Sequence, residues 1–263
     1  MNRKIETRCF KGRVFFLKKI KFFVVTIDIT TRVIYTLVVM KKVTTDKNNR
    51  RKLKMKIAVV CANGKAGKLI VKEAVERGID VTAIAKGKNE NNAPHYIEKD
   101  LFDLTKEDLQ DFDVVIDAFG AWTEETLPLH STSLNTLCNL VSNTTKRLLV
   151  VGGAGSLYVN KEHTLCVSDG ADFPEVFKPL ASAMAKALKE LRNRNDVNWT
   201  YISPAGDFRA DGERTGKYIL GGEELTLNSK GESVISYADY AIAMIDEATK
   251  GNHIQKRISV VSE

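Results

Sequence analysis

The stretch Asn63-Gly64-Lys65-Ala66-Gly67 sits where a short β-branched run, Ile57 to Val60, gives way to apolar residues at helical spacing. Glycines at such a turn allow the backbone to come close to a phosphate. The unpaired N–H groups and the dipole of a helix N-terminus then favour its negative charge. The chemistry on offer is the binding of a pyrophosphate, though the same glycines also suit a plain turn between strand and helix. The first glycine of the dinucleotide pattern is replaced by Cys61, so the pattern is incomplete. Cys61 is either a thiol whose pKa the helix N-terminus lowers, and which then reacts with oxidants, or a small packing residue.

Further candidates follow the later apolar runs. A cofactor with a free ribose 2′-OH calls for Asp or Glu about 20 residues past the glycines. Here Lys86 takes that place, with Lys88 close behind. A cation suits a 2′-phosphate and favours NADP(H) over NAD(H), the alternative being a solvated surface lysine. Asp100, in "EKDLFDL", either reaches towards an adenine or caps the next turn. Phe119 and Gly120 end the fourth apolar run, where a glycine lets the chain pass close to a flat ring or simply turn. Gly153 belongs to the cluster in "LLVVGGAGSLYV", and Ser156 just beyond it either faces a nicotinamide, as the candidate catalytic residue, or caps a turn. Pro204 and Ala205 would close the floor of the pocket.

One absence narrows the chemistry. Short-chain dehydrogenases place a Tyr-x-x-x-Lys pair to protonate the alkoxide formed when hydride reaches a carbonyl. None of the seven tyrosines has a lysine four residues on, and Ser182 stands in the tyrosine's place ahead of Lys186. Ordinary alcohol dehydrogenation is demoted. Flavins and quinones spread the incoming charge and take protons from water, so they need no positioned phenol; the cofactor does the chemistry and the protein orients it.

The elements that must position these residues alternate. Strands are expected at Ile57–Val60, Val81–Ala85, Tyr96–Ile97, Val114–Ala118, Leu148–Val151 and Trp199–Ser203, and helices at Ala66–Arg77, Lys106–Gln110, Glu125–Ser142 and Glu175–Asn193. That rhythm predicts an α/β fold, a Rossmann-type doubly wound parallel sheet of order 3-2-1-4-5-6. Ligands then gather at the carboxyl ends of the strands near the order reversal, where Gly64 and Gly67 lie. After the sixth strand the pattern changes to a short hairpin, a helix in "YADYAIAMIDEATKG" and a last strand in "KRISVV", a small cap over about 205–263 on the substrate side.

Composition divides the chain at about residue 54. Residues 1–54 hold 16 Lys/Arg against 3 Asp/Glu, a net of +13, and the remaining 24 and 30 give 55–263 a net of −6. The body shows no basic cluster of the kind that binds nucleic acid. Within the leader, Phe22 to Met40 is apolar overall but interrupted by Asp28, Arg32 and threonines, which argues against a membrane span and against a signal peptide. The expected reading is a basic extension outside the fold, upstream of a native start at Met55. A membrane-surface segment is the alternative. Four cysteines without a C-x-x-C pair suit free thiols in a reducing, cytoplasmic setting, and no metal-ligand spacing appears.

The segments "KIAVVCANGKAGKLIVKEAVERGIDVTAI", "RLLVVGGAGSL", "WTYISPAGDF", "GERTGKYILGG" and "GESVISYADYAIAMIDE" resemble the NAD(P)H-binding, NADH-flavin reductase-like proteins, atypical short-chain dehydrogenase/reductase relatives of the NmrA-like group. The first segment is shared with many dinucleotide-binding proteins; the last two are more specific. The resemblance spans Met55 to Glu263 and implies one Rossmann domain with NADP(H) and reduction of a flavin or similar acceptor. By this likeness Gly64, Lys65, Ala66 and Gly67 cradle the pyrophosphate and Lys86 is the basic residue after the second strand. Phe119 and Gly120 match the loop beside the nicotinamide, and Ser156 the residue after the fifth strand. Cys61 departs from the usual glycine.

Two functions of different class follow: an NADPH-dependent reductase of a flavin or quinone, or a non-catalytic NADP(H) sensor that changes partners with redox state. An epimerase acting on a nucleotide sugar is disfavoured by the missing Tyr-x-x-x-Lys pair.

Overall fold

The computed structural model describes residues 55–263. The basic leader, with its expected extension or membrane-surface role, lies outside the described residues. Ten strands and five helices follow: β1 (Lys56–Val60), α1 (Lys65–Glu76), β2 (Asp80–Ala85), β3 (His95–Glu98), α2 (Lys106–Leu109), β4 (Val114–Asp117), α3 (Leu129–Val141), β5 (Arg147–Val151), α4 (Lys178–Leu191), β6 (Asn198–Ser203), β7 (Asp207–Arg209), β8 (Tyr218–Gly221), β9 (Val234–Ser236), α5 (Tyr237–Lys250) and β10 (Lys256–Ser262).

Eight strands form one sheet in the order β3-β2-β1-β4-β5-β6-β10-β8, so the expected order 3-2-1-4-5-6 holds. All its pairs are parallel except β10 with β8. The C-terminal strands and helix are present as expected, with particular partners. β8 takes β10 as its antiparallel neighbour across the intervening helix, and β7 pairs in parallel with β9 as a separate two-stranded sheet.

The strands are apolar on both sides because both faces are covered. Ile57, Val59, Val114 and Ile116 pack with Ile70 and Val71 of α1 and Tyr240, Met244 and Ile245 of α5. Their neighbours Ala58, Val60 and Val115 face Leu134 and Leu137 of α3 and Leu188 and Leu191 of α4. This alternation within each strand fixes its register, since a slip of one residue would exchange the two faces.

The side nearest α5 is clasped by buried charge. Glu73, 5 % exposed, accepts from Arg77 at 2.7 Å and from Arg214 at 2.8 Å, and Arg77 reaches on to Asp246 at 2.5 Å. Asp239 is fully buried. Its carboxylate accepts from the Thr215 amide and hydroxyl and from the Gly216 amide at 2.7–3.1 Å. Among the described residues no helix is long and apolar enough to cross a membrane.

Candidate functional site

The order of the sheet reverses between β1 and β4, so the chain leaves these neighbouring strands in opposite directions and a crevice opens at their carboxyl ends. Cys61 follows β1 with φ of +59°, a left-handed conformation that favours glycine and that a cysteine adopts only under local constraint. Cys61 therefore takes a backbone conformation suited to the glycine it replaces. The Gly64 amide donates to the Cys61 carbonyl at 3.1 Å to close the turn.

Gly67 is demanded by packing. A Cβ there would stand 2.7 Å from the Cys61 carbonyl oxygen and 2.8 Å from the Ala62 Cα, so helix and turn can meet this closely only at glycine. Gly64 caps α1, no side chain supplies a capping bond, and the first turn holds no acidic residue. The first-turn amides, those of Lys65, Ala66 and Gly67, are thus left to an outside anion. A pyrophosphate fits this cradle.

Asn63 ties the cradle to the next loop. Its amide nitrogen donates to the carbonyls of Lys86 (3.2 Å) and Lys88 (2.9 Å), and its oxygen accepts from Asn91 at 2.8 Å. The whole side chain is engaged in joining two loops. That role was not visible in the sequence, where Asn63 read only as part of the glycine turn.

Beside the cradle lies a cavity of about 80 Å³ lined by Val60, Cys61, Ala85, Lys86, Asp100 and Phe119, among others. Asp100 caps the next turn, in line with one of its two readings. One oxygen accepts from the Phe102 amide at 3.1 Å and caps the turn Leu101–Asp103, while the other lies 2.6 Å from Lys86 Nζ. The bond to Asp100 raises the Lys86 ammonium, and the bond to Lys86 lowers the Asp100 carboxyl. Lys86 remains largely exposed, with its head at the mouth of the cavity.

Cys61 is half-buried on the wall of this cavity. Burial first, then the charges of Asp117 and Asp100, push its thiol up to about 12. Burial thus works against the lowering expected beside a helix N-terminus.

Phe119 lines this cavity and also a second, smaller one formed with Asp117, His130, Ser133, Met184 and Tyr201. Sequence reasoning missed these four polar residues; the visible signal was an aspartate closing the apolar run "VVID". Asp117 is 4 % exposed and accepts from the Phe119 amide at 3.0 Å, which fixes the start of the loop. Burial raises its carboxyl to about 6. His130 Nε2 donates to the Ala121 carbonyl at 3.1 Å and holds the far side of the same loop; burial lowers its pKa. Gly120 is exposed between these two anchors.

On the other side of the crevice, Gly153 donates its amide to the Tyr201 hydroxyl at 3.1 Å, and burial pushes that phenol up to about 12. Ser156 is half-buried, and its hydroxyl accepts from Arg257 Nη1 at 3.0 Å. Arg257 is 4 % exposed. It also binds the Ser156 and Glu223 carbonyls, so β10 sets the position of the loop after β5. Pro204 is buried at the end of β6. Ser182 and Lys186 point to solvent on α4, with Lys186 near Glu190.

The model for the family described as NAD(P)H-binding matches residues 61–248, most of the chain. The chain belongs to the NAD(P)H-binding family. Relatives extend the match. An uncharacterized protein of Bacillus subtilis, YwnB, is 43 % identical over 212 residues, covering 80 % of this chain and 99 % of its own. A crystal structure named as a candidate NADH-flavin reductase, from Streptococcus pneumoniae, is 57 % identical with a TM-score of 0.78, over 80 % of this chain and all of that one. A candidate epimerase from Bacteroides thetaiotaomicron is 33 % identical with a TM-score of 0.69, over 79 % and 97 %.

Proposed function

We propose that this NAD(P)H-binding protein is an oxidoreductase that uses NADPH to reduce a flat, conjugated acceptor of the flavin or quinone class. The observation that supports the reading is a glycine-built strand-to-helix cradle at the order reversal of the sheet, in a chain without the Tyr-x-x-x-Lys pair that protonates an alkoxide. Ser182 and Lys186 face solvent, and the Tyr201 hydroxyl is buried against the Gly153 amide. The name of the pneumococcal relative supports the same class.

In this reading the first-turn amides of Lys65, Ala66 and Gly67 hold the pyrophosphate. Lys86 meets the ribose 2′-phosphate, which favours NADP(H) over NAD(H), and Asp100 borders the adenine end. Bound NADPH supplies a hydride. Phe119 and Gly120, held by Asp117 and His130, present a flat wall with no side chain at Gly120. Gly153, Ser156 and Pro204 close the opposite wall, where Ser156 faces the nicotinamide with its hydroxyl held by Arg257. A flavin or quinone takes its remaining proton from water. Residues 205–263 form the acceptor side of the same domain.

The missing acid fits a second reading equally, a non-catalytic NADP(H) sensor whose oxidised and reduced cofactor bind unequally. Absorbance at the nicotinamide band, followed with FMN, FAD and a simple quinone offered in turn to the full chain, separates the two. Turnover well above the uncatalysed background with one acceptor class supports the reductase. A folded protein that binds NADPH yet turns over none of them, and that discriminates NADP⁺ from NADPH, is the sensor.

A further inference from the structure

Lys86 is not a free cation awaiting a phosphate; it already holds the Asp100 carboxylate at 2.6 Å. The two ends of this pair differ in freedom. Asp100 is anchored, because its other oxygen caps the turn Leu101–Asp103 through the Phe102 amide. Lys86 stands on a flexible four-carbon stem with 74 % of its side chain exposed. Lys99, next to Asp100 in sequence, is drawn away to Asp108 at 2.6 Å and does not neutralise Asp100.

We propose that Asp100 competes with the ribose 2′-phosphate for Lys86, and so moderates the preference for NADPH and lets the site accept NADH as well. The inference rests on the nucleotide reading of this cavity. A phosphate that takes Lys86 must break the pair and leave a fixed carboxylate beside a second negative group, which costs affinity. A ribose 2′-hydroxyl carries no such penalty, since it can donate to Asp100 while the pair stays closed. The cation and the carboxylate thus form one ribose subsite that serves either cofactor.

The test is direct binding of NADPH and NADH to the full-length protein at low salt, read by nucleotide fluorescence, for the wild type, Asp100→Asn, Lys86→Met and the double variant. Asparagine keeps an acceptor for the Phe102 amide, so the cap survives while the charge is lost. The NADPH-to-NADH affinity ratio should rise about fivefold in Asp100→Asn, the scale of an exposed ion pair. It should fall in Lys86→Met, and on that background Asp100→Asn should move it by less than about twofold, since no pair remains to break. A ratio unchanged or lowered by Asp100→Asn overturns the proposal and leaves the nucleotide site standing. Folded wild type that binds neither nucleotide overturns the nucleotide reading itself, and this inference with it.

Discussion

Asp117 concentrates the cost of building the crevice. A buried carboxyl raised to about 6, from an unfolded value near 3.8, binds its proton more tightly in the folded state. Folding stability therefore falls as pH rises from about 4 to 6, and above pH 6 the full penalty applies, about 3 kcal/mol at 1.36 kcal/mol per unit. Asp117→Asn can still accept from the Phe119 amide but carries no charge. Denaturant melts should show it more stable than wild type at pH 7.5, with the gap closing by pH 4; equal stability at both values would show that Asp117 is solvated. Cys61 makes a second residue-scale case, because its φ of +59° suits glycine. Cys61→Gly should fold and bind NADPH, whereas the β-branched Cys61→Val should lose about 1–2 kcal/mol in the same melts.

Elements explain which parts of the fold were legible. The parallel strands announce themselves as short β-branched runs between helical patterns, and one alternation decides both their existence and their order. Helix starts were less legible. The helix expected from Glu125 begins at Leu129, after a turn in which Thr123 and Thr126 bond to each other, and the helix expected from Glu175 begins at Lys178 after a tighter turn. Composition does not mark where such turns give way to helix. Nor does a local pattern reveal that β8 reaches β10, since that partner lies beyond a whole helix. The cradle was readable because its residues are contiguous, but Asp117, His130 and Tyr201 come from three separate elements and meet only in the fold. The two most specific sequence segments, "GERTG" and "YADYA", prove to be one contact: Asp239 in the first turn of α5 binds Thr215 and Gly216. Asp239→Ala strips three bonds from a fully buried site, so urea unfolding should show a loss of about 3 kcal/mol. A loss below about 0.5 kcal/mol would mean that the turn finds other partners.

At the scale of the whole molecule, two hydrophobic layers hold a parallel sheet whose carboxyl edge bears the crevice, and the loops of that edge are fastened by polar bonds: Asn63 to the 86–91 loop, Asp117 and His130 to the 119–121 loop, Arg257 to the loop at Ser156. A ligand that bridges these loops stabilises the folded state alone. At a hundredfold excess over its Kd, NADPH should add about 2.7 kcal/mol, seen as a rise of roughly 5 °C or more in Tm. The most direct measurement is a calorimetric titration of NADPH into the full-length wild type and into Gly67→Ala, each first shown to be folded by circular dichroism. The dinucleotide crevice predicts saturable one-to-one binding to the wild type, weakened at least about tenfold in Gly67→Ala, because the added Cβ meets backbone at 2.7 Å and displaces the cradle. Wild type that does not bind NADPH, or a Gly67→Ala protein that binds it equally well, would contradict the placement of the cofactor on this loop.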